Sequence, residues 1–232
     1  MTPDHPNLRS YFAEPTIDRS THPIDPWRWI ETAPPTSDLG VAESVFTVGN
    51  GYLGVRGNPE EGRDYTLNGT YVNGLHETWN IQHAEDAYGL ARVGQSIVNA
   101  PDAKTIRIYV DDEPFRISRA DLSYYERSLD FRDGVLRRSI EWRTPAGKRV
   151  LMDFTRLVSL TDRHLGIEEV RIVLPEDSAP VMLSSQIMNR QDGQDEFGSA
   201  TSASRPASPE DVTQATVNTG SDPVSYTHLR AH

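Results

Sequence analysis

The alternation of apolar and polar residues predicts short β-strands between residues 123 and 187. Leu136, Ile140 and Trp142 share one parity and polar residues fill the other, with Arg138 as an exception on the apolar side. A period of two is typical of a strand with one buried face. Turn-forming pairs recur about every ten residues, and together these features indicate an antiparallel β-sandwich or barrel.

Two local patterns depart from this alternation. The apolar parity of residues 165–174 slips at Glu168-Glu169, which predicts a β-bulge. Residues 120–127 carry a short, weak helical pattern. Four arginines are expected on solvated strand faces, in weak surface ion pairs: Arg56, Arg137, Arg138 and Arg156.

The Asn50-Gly51 pair separates two β-rich runs, residues 45–48 and 52–55. An Asn-Gly pair in this position is a strong hairpin signal, since glycine accepts a positive φ. The glycines of residues 49–57 also suggest a phosphate-binding loop, but no Lys-Ser/Thr pair follows them. Hairpin turns therefore explain these glycines better.

Composition divides the chain into four parts. Residues 1–26 hold five prolines and no periodicity, which predicts a flexible arm. Residues 27–190 form the predicted β-domain, and residues 191–223 are a polar linker or incomplete strands. Residues 224–232 back-translate into bases that resemble read-through of a sequencing-library adaptor, so we expect a non-native tail there.

Charge and cysteine content exclude several classes of function. The net charge is 23 − 34 = −11, so the chain's own field disfavours nucleic acids and anionic membranes as partners. There is no cysteine, hence no disulfide framework and no thiolate metal site. No signal peptide or membrane-spanning run is evident, and we expect a cytoplasmic protein.

The polar, aromatic segment of residues 76–86 is the best candidate for ligand binding, and we expect it to be a loop. Trp79 could stack on a sugar ring while Glu77 or His76 bonds its hydroxyls. The alternative is that Trp79 packs at a sandwich edge or against a further domain. A His76/His83 metal pair lacks a third ligand and a helix to fix its spacing.

Carboxylates for glycosidic chemistry cannot be chosen by position alone, because 34 of 232 residues are acidic. An inverting hydrolase needs an acid and a base about 6.5–9.5 Å apart, whereas phosphorolysis needs the acid alone. Four residues come into question, each more simply explained as a solvated or strand-capping group: Glu43, Glu77, Glu85 and Asp86.

Four segments in order resemble landmarks of glycoside hydrolase family 65, the maltose, trehalose and kojibiose phosphorylases. They are residues 43–58 (ESVFTVGNGYLGVRGN), 98–101 (VNAP), 129–138 (LDFRDGVLRR) and 156–160 (RLVSL). The resemblance implies a large N-terminal β-sandwich, a supersandwich, that precedes an (α/α)6 catalytic barrel. This chain is expected to end before that barrel.

The resemblance also implies a bacterial enzyme that cleaves α-linked glucosyl disaccharides with inversion of the anomeric configuration. Inorganic phosphate or water is the implied co-substrate, with no other cofactor. The complete enzyme is expected to be a homodimer. Because the catalytic acid and the phosphate site belong to the barrel, no catalytic residue carries over to this chain, which we expect to be inactive alone. A self-standing carbohydrate-binding module and a purely structural domain stay open as alternatives.

Overall fold

A computed structural model describes most of the chain between residues 17 and 188, and two short strands beyond it. The described ranges are 17–36, 39–62, 69–85, 87–176, 178–188, 215–216 and 224–230. Within these ranges no helix is long and apolar enough to cross a membrane.

The described residues form fourteen strands and one short helix. In chain order they are β1 (Arg28–Glu31), α1 (Leu39–Val45), β2 (Val48–Gly49), β3 (Leu53–Val55), β4 (Thr70–Asn80), β5 (Val93–Asn99), β6 (Asp102–Val110), β7 (Glu113–Pro114), β8 (Asp121–Asp130), β9 (Val135–Arg143), β10 (Arg149–Val158), β11 (Leu165–Val173), β12 (Val181–Met188), β13 (Ala215–Thr216) and β14 (Val224–Arg230). The predicted antiparallel β class is confirmed, with one helix added.

The strands make three antiparallel sheets. A six-stranded sheet runs in the order β1-β8-β9-β10-β11-β14, and the two four-stranded sheets run β13-β12-β6-β7 and β2-β3-β4-β5. Both smaller sheets pack on one face of the large sheet, here called the inner face. The β6–β12 sheet covers one end of that face and the β2–β3 strands cover the other.

Two apolar clusters form the core. The larger joins Ile108 and Leu183 of the β6–β12 sheet to the inner face around Trp142 and Met152. The smaller joins Phe46 and the β2–β3 strands to Leu136 and its neighbours. Burial of apolar side chains at roughly 25 cal/mol per Å² is the main stabilising contribution of both clusters.

The strand and hairpin predictions for the second half of the chain are confirmed. β8 and β9 form the predicted hairpin, with Gly134 at a φ of +65° in its turn. On β10, Val150, Met152 and Phe154 are buried, as their alternation predicts. The Asn50-Gly51 hairpin is also present, although it joins β3 to a shorter β2 than expected.

Three local predictions are wrong. Residues 39–45 form α1, so Val45 ends a helix where a strand was expected, and the Phe46 amide donates to the Ala42 carbonyl. The helical pattern of residues 120–127 belongs to β8, because pairing with β9 outweighs a weak local propensity. The polar segment from His76 to Asn80 is the end of strand β4, not a loop.

The predicted irregularity at Glu168-Glu169 is present on one side of β11 only. β11 pairs with β10 in unbroken register from Gly166 to Val173, and a register shift occurs only against β14, between Gly166 and Glu169. Glu168 lies on the inner face beside Val170 and is buried. The slip therefore marks a charged residue on the apolar side of the strand.

The ends of the chain lie partly outside the described residues. Residues 17–26 contact the start of the domain, since the Thr32 amide donates to the Thr21 carbonyl. Of the predicted linker, only β13 is described, paired with β12. β14 pairs with β11, but a backbone pairing has no bearing on the origin of the codons for residues 224–232. The adaptor origin stays a prediction that sequencing past codon 223 would check.

Candidate functional site

A band of buried charges crosses the inner face between the two apolar clusters. The large sheet supplies Glu31, Arg127, Arg138, Arg156 and Glu168, all less than 5% exposed. The β3–β4 connection adds Glu60 and Glu61, and the start of β6 adds Asp102 and Lys104. We call these nine residues the charge band. Four cations face five anions, a net charge of 4 − 5 = −1 when every group is ionised.

Each arginine of the band holds a different part of the β3–β4 connection. Arg127 donates to Glu31 Oε2 at 3.0 Å and to the Gly57 carbonyl at 3.1 Å. Arg138 pairs with both Glu60 and Glu61. Arg156 donates to the Asn58 carbonyl and to Glu60 Oε1, the latter at 2.9 Å. Residues 57–62 are thereby fastened to the sheet by charge-assisted hydrogen bonds.

These contacts correct the expectation that the arginines are solvated. Arg138 and Arg156 are buried. Arg56 is mostly buried, and its Nε donates to Glu43 Oε2 at 3.1 Å. Arg137 is exposed, as predicted. The sequence feature that indicates the burial of Arg138 is its position on the same side of the strand as Leu136 and Ile140. It places the guanidinium on the apolar face, where it lies over the ring of Phe154 at 4.3 Å.

Two carboxyls that share Arg156 differ in their proton affinity. Burial raises the pKa of Glu168 to about 7, and the nearby Glu60 charge adds to that rise. Burial also opposes ionisation of Glu60, but Arg138 and Arg156 together hold its pKa below the ordinary value. Protonation of Glu168 removes the excess negative charge of the band, and because its pKa is about 7 this group changes its ionisation around neutral pH.

The candidate ligand-binding residues lie on a two-stranded ribbon that projects from the body of the domain. β3 pairs with β4 only from Thr70 to Val72, and beyond Val72 β4 pairs only with β5. We call residues 75–97 the β4–β5 ribbon. Its β4 half is exposed from Leu75 to Asn80, and apolar side chains such as Val93 are exposed on β5.

The ribbon places the three predicted binding residues on two faces. Glu77 and Trp79 share one face, opposite Ser96 and Gly94, while His76 lies on the other face opposite Ile97. Trp79 is 49% exposed and its ring covers Gly94, where a Cβ would collide with it. The indole is a flat, half-exposed platform with Glu77 beside it, but His76 cannot act from the same side.

The nominated acids fall into two groups. Glu43 is buried in α1 and bonded to Arg56, a structural position. Glu77 and Glu85 are exposed on the ribbon, and Asp86 lies outside the described residues. His83 bonds the Ala91 carbonyl through Nε2 at 2.7 Å. Among the described residues, no three His, Asp or Glu side chains are placed to hold a metal ion.

Replacing Arg138 with methionine tests the charge band. Arg138→Met leaves Glu60 and Glu61 buried without their main partner, and we expect a loss of about 3–5 kcal/mol in the free energy of unfolding. Arg137→Met, one residue away on the solvated face, should change it by less than about 0.5 kcal/mol. Urea denaturation of both variants measures the difference, and Glu61→Gln should restore part of the stability of Arg138→Met. Equal effects of the two arginine substitutions would contradict a buried ion pair.

The Glu168 proton gives stability a defined dependence on pH. The folded-state pKa of about 7 lies above the ordinary value of 4.5, so the folded chain binds this proton more tightly than the unfolded chain. The contribution is complete below pH 4.5 and is lost as pH rises through about 7. We expect the unfolding free energy of the parent chain minus that of Glu168→Gln to fall by about 3 kcal/mol across this window. Denaturation at several pH values measures this difference. Glu169→Gln leaves Glu168 in place, so its free energy of unfolding should change with pH as that of the parent chain does. If the curves of the parent chain and Glu168→Gln run parallel across this window, the assignment of the proton to Glu168 is refuted.

Comparison with known proteins gives a consistent family. Residues 29–227 match the glycosyl hydrolase family 65, N-terminal domain. An uncharacterized glycosyl hydrolase of Mycobacterium tuberculosis is 38% identical over 176 residues, which cover 76% of this chain and 22% of that protein. The α,α-trehalose phosphorylase of Thermoanaerobacter brockii is 37% identical over 148 residues, covering 62% of this chain and 19% of the relative.

A solved structure supports the fold. A protein from the human microbiome, provisionally described as a kojibiose phosphorylase, superposes with a TM-score of 0.64 at 24% identity, over 72% of this chain and 22% of that one. This chain spans about a fifth of the length of the curated relatives it matches. With the family match extending over most of its residues, the chain belongs to glycosyl hydrolase family 65, through that family's N-terminal domain.

Proposed function

We propose that this chain is the non-catalytic N-terminal β-sandwich of an inverting enzyme that cleaves α-linked glucosyl disaccharides with phosphate or water. In this role it supports an (α/α)6 catalytic barrel. The relatives named as trehalose and kojibiose phosphorylases support the reaction class. The match to the family's N-terminal domain supports a part of the enzyme other than the catalytic barrel.

The β4–β5 ribbon is the observation that carries a supporting role. A two-stranded ribbon with both faces in water is only marginally stable by itself. This ribbon exposes apolar side chains on both faces, among them Trp79 on one and Val93 and Ile97 on the other. Contact with the catalytic barrel would remove these side chains from water and hold the ribbon in place.

The state of the buried carboxylates agrees with a non-catalytic role. An acid catalyst must reach the glycosidic oxygen of a bound sugar. Glu60, Glu61 and Glu168 are instead buried against arginines, and Glu43 is held by Arg56. The same proposal includes a homodimer of the complete enzyme. In that dimer the β4–β5 ribbon is a surface that either the barrel or a second copy of the chain would cover.

Sugar binding by the chain itself is the second candidate. It is favoured by the Trp79 ring, which lies flat over Gly94 with one side in solvent and Glu77 on the same face. Aromatic platforms of this kind stack against the apolar face of a pyranose ring. Neither Trp79 nor Glu77 lines any of three cavities found among the described residues.

Enzyme assays and calorimetry on the whole 232-residue chain separate these functions. With maltose, trehalose or kojibiose and inorganic phosphate, we expect no release of glucose 1-phosphate and no hydrolysis, and any activity overturns the proposal. Titration with the same sugars should give no saturable heat. Saturable binding that Trp79→Ala abolishes and Phe131→Ala preserves would favour the carbohydrate-binding alternative.

The exposed ribbon predicts how the isolated chain interacts with an apolar dye. Val93→Thr combined with Ile97→Thr keeps β-branched residues on β5 while removing its exposed apolar surface. We expect anilinonaphthalene sulfonate fluorescence and concentration-dependent association in sedimentation velocity to fall. Val41→Thr, an exposed position on α1, serves as the matched control and should leave both unchanged. Unaltered fluorescence and association in the ribbon variant would argue against a docking surface there.

A further inference from the structure

A cleft of about 550 Å³ lies at one end of the large sheet, and we call it the β7–β8 cleft. It is lined by β7, by the β7–β8 connection, by the end of β9 and by the β9–β10 turn. Its lining includes Pro114, Pro145 and the buried Trp142, which packs against Phe115 with ring centroids 5.3 Å apart. A cleft of this volume is large enough for a small-molecule ligand.

Three arginines line the β7–β8 cleft: Arg116, Arg119 and Arg143. None of the three forms an ion pair with a carboxylate of the described residues. Arg143 Nη1 makes one long hydrogen bond, to the Gly147 carbonyl at 3.4 Å. Carboxylates are not scarce in this chain, which has 34 acidic residues against 23 basic ones. The cleft therefore gathers guanidinium groups that the described part of the domain leaves without an anionic partner.

Arg116 is the arginine of the cleft with the clearest need for an anion. Its side chain is half-buried, and its Nε is enclosed without an acceptor among the described residues. Its terminal nitrogens are not enclosed in this way, and they also have no hydrogen-bond partner in the described ranges. A cation that has lost part of its hydration without gaining a carboxylate is unfavourable. An anion bonded to the terminal nitrogens would offset this by Coulomb attraction, without having to reach Nε.

We propose that the β7–β8 cleft binds a phosphate group, either free or as a small phosphate monoester, between Arg116, Arg119 and Arg143. Phosphate offers the two charges and several acceptor oxygens that planar guanidinium groups bind in pairs. Glu113 and Asp121 also line the cleft, so its lining carries a net charge of 3 − 2 = +1. These two carboxylates can accept hydrogen bonds from the hydroxyls of an ester, and the volume leaves room for its organic part.

The acidity of the whole chain does not oppose a small anion at this position. Exposed charges are screened beyond about 8–10 Å at ordinary ionic strength, so the nearest groups decide. Arg143 stands opposite Asp121 on β8 and opposite Arg149 on β10, and Arg149 is already paired with Glu141. A polyanion would extend past the cleft into the acidic surroundings, which keeps nucleic acids disfavoured. The inference goes beyond the proposed function, since neither catalysis nor disaccharide binding enters it.

Inorganic phosphate, glucose 6-phosphate and glucose are suitable probes, because they separate the anion from the sugar. Each is titrated into the isotope-labelled full chain at low ionic strength and followed by amide and arginine Nε–H chemical shifts. We expect saturable shifts with both phosphates, confined to residues 113–121 and 142–147 and including Nε–H of Arg116, and none with glucose. Tighter binding of glucose 6-phosphate identifies a monoester as the ligand, and equal affinity identifies free phosphate. Absence of saturation with both phosphates, or the same response to glucose, would overturn the proposal.

Two substitutions in the cleft and one outside it locate the binding. Arg116→Gln removes the half-buried cation, and we expect it to weaken phosphate binding by about tenfold or more. Arg137→Gln, an exposed position of β9 outside the cleft, should leave the affinity unchanged. Asp121→Asn removes a negative charge from the lining and should strengthen binding about two- to fivefold. Parent affinity in a folded Arg116→Gln chain would refute the inference. If that variant does not fold, an affinity of Asp121→Asn no higher than that of the parent chain would refute it.

Discussion

The pairing of the inner-face arginines with the β3–β4 connection is the interaction on which the arrangement of the three sheets depends. Residues 57–62 have almost no apolar side chain to bury, yet they run between the large sheet and the β6–β12 sheet. Arg127, Arg138 and Arg156 supply the donors that this stretch of backbone and carboxylate requires. The Ile106 amide then donates to the Glu60 carbonyl, so the same stretch also holds β6.

A buried ion-pair band is a costly way to fill a core, because each charge loses its hydration. Apolar residues of similar volume would often give equal or greater stability. The band instead restricts the position of the β3–β4 connection relative to the large sheet. A guanidinium that donates to two carboxylates and a carbonyl, as Arg156 does, keeps these hydrogen bonds in few alternative arrangements. The packing of the two apolar clusters is non-directional, and the ion pairs of Arg138 with Glu60 and Glu61 add a directional constraint between them. We regard the band as the element that fixes the register of the sheets.

Much of the fold could be predicted from the sequence, because the informative patterns are local. Alternation along β9 and β10, and the turns at Gly51 and Gly134, depend on residues close together in the chain. The charge band could not be predicted in this way. Arg138 and Glu168 interrupt the apolar pattern of their strands. The partners of Arg138, Glu60 and Glu61, are distant in sequence, whereas Glu168 pairs with Arg156 directly across the β10–β11 hairpin.

The candidate site shows the same division. Trp79 and Glu77 could be singled out by residue type, and the structure places them side by side on one face. The structure shows them on a projecting strand and not a loop, and it places His76 on the opposite face. Both features depend on the pairing of β4 with β5, and no short segment of the sequence contains both strands. The cavity lined by β3, β4, β6, β10 and β11 forms where strands distant in sequence meet, so no local pattern of residues predicts it.

The pairing of β4 with β5 also shows how the ribbon could change its binding surface. Tyr71 pairs with Asn99 and His76 with Ile97, so four residues of β4, 72–75, stand opposite the single residue Val98. Gly74, at a φ of +96°, lies in this expanded stretch. Side chains alternate strictly beyond it, so a one-residue shift of residues 76–80 against β5 would move Trp79 and Glu77 to the face that His76 now occupies. Such a shift would exchange an aromatic surface for an imidazole surface, and it would also take the Trp79 ring away from Gly94, the one position opposite it with room for the indole.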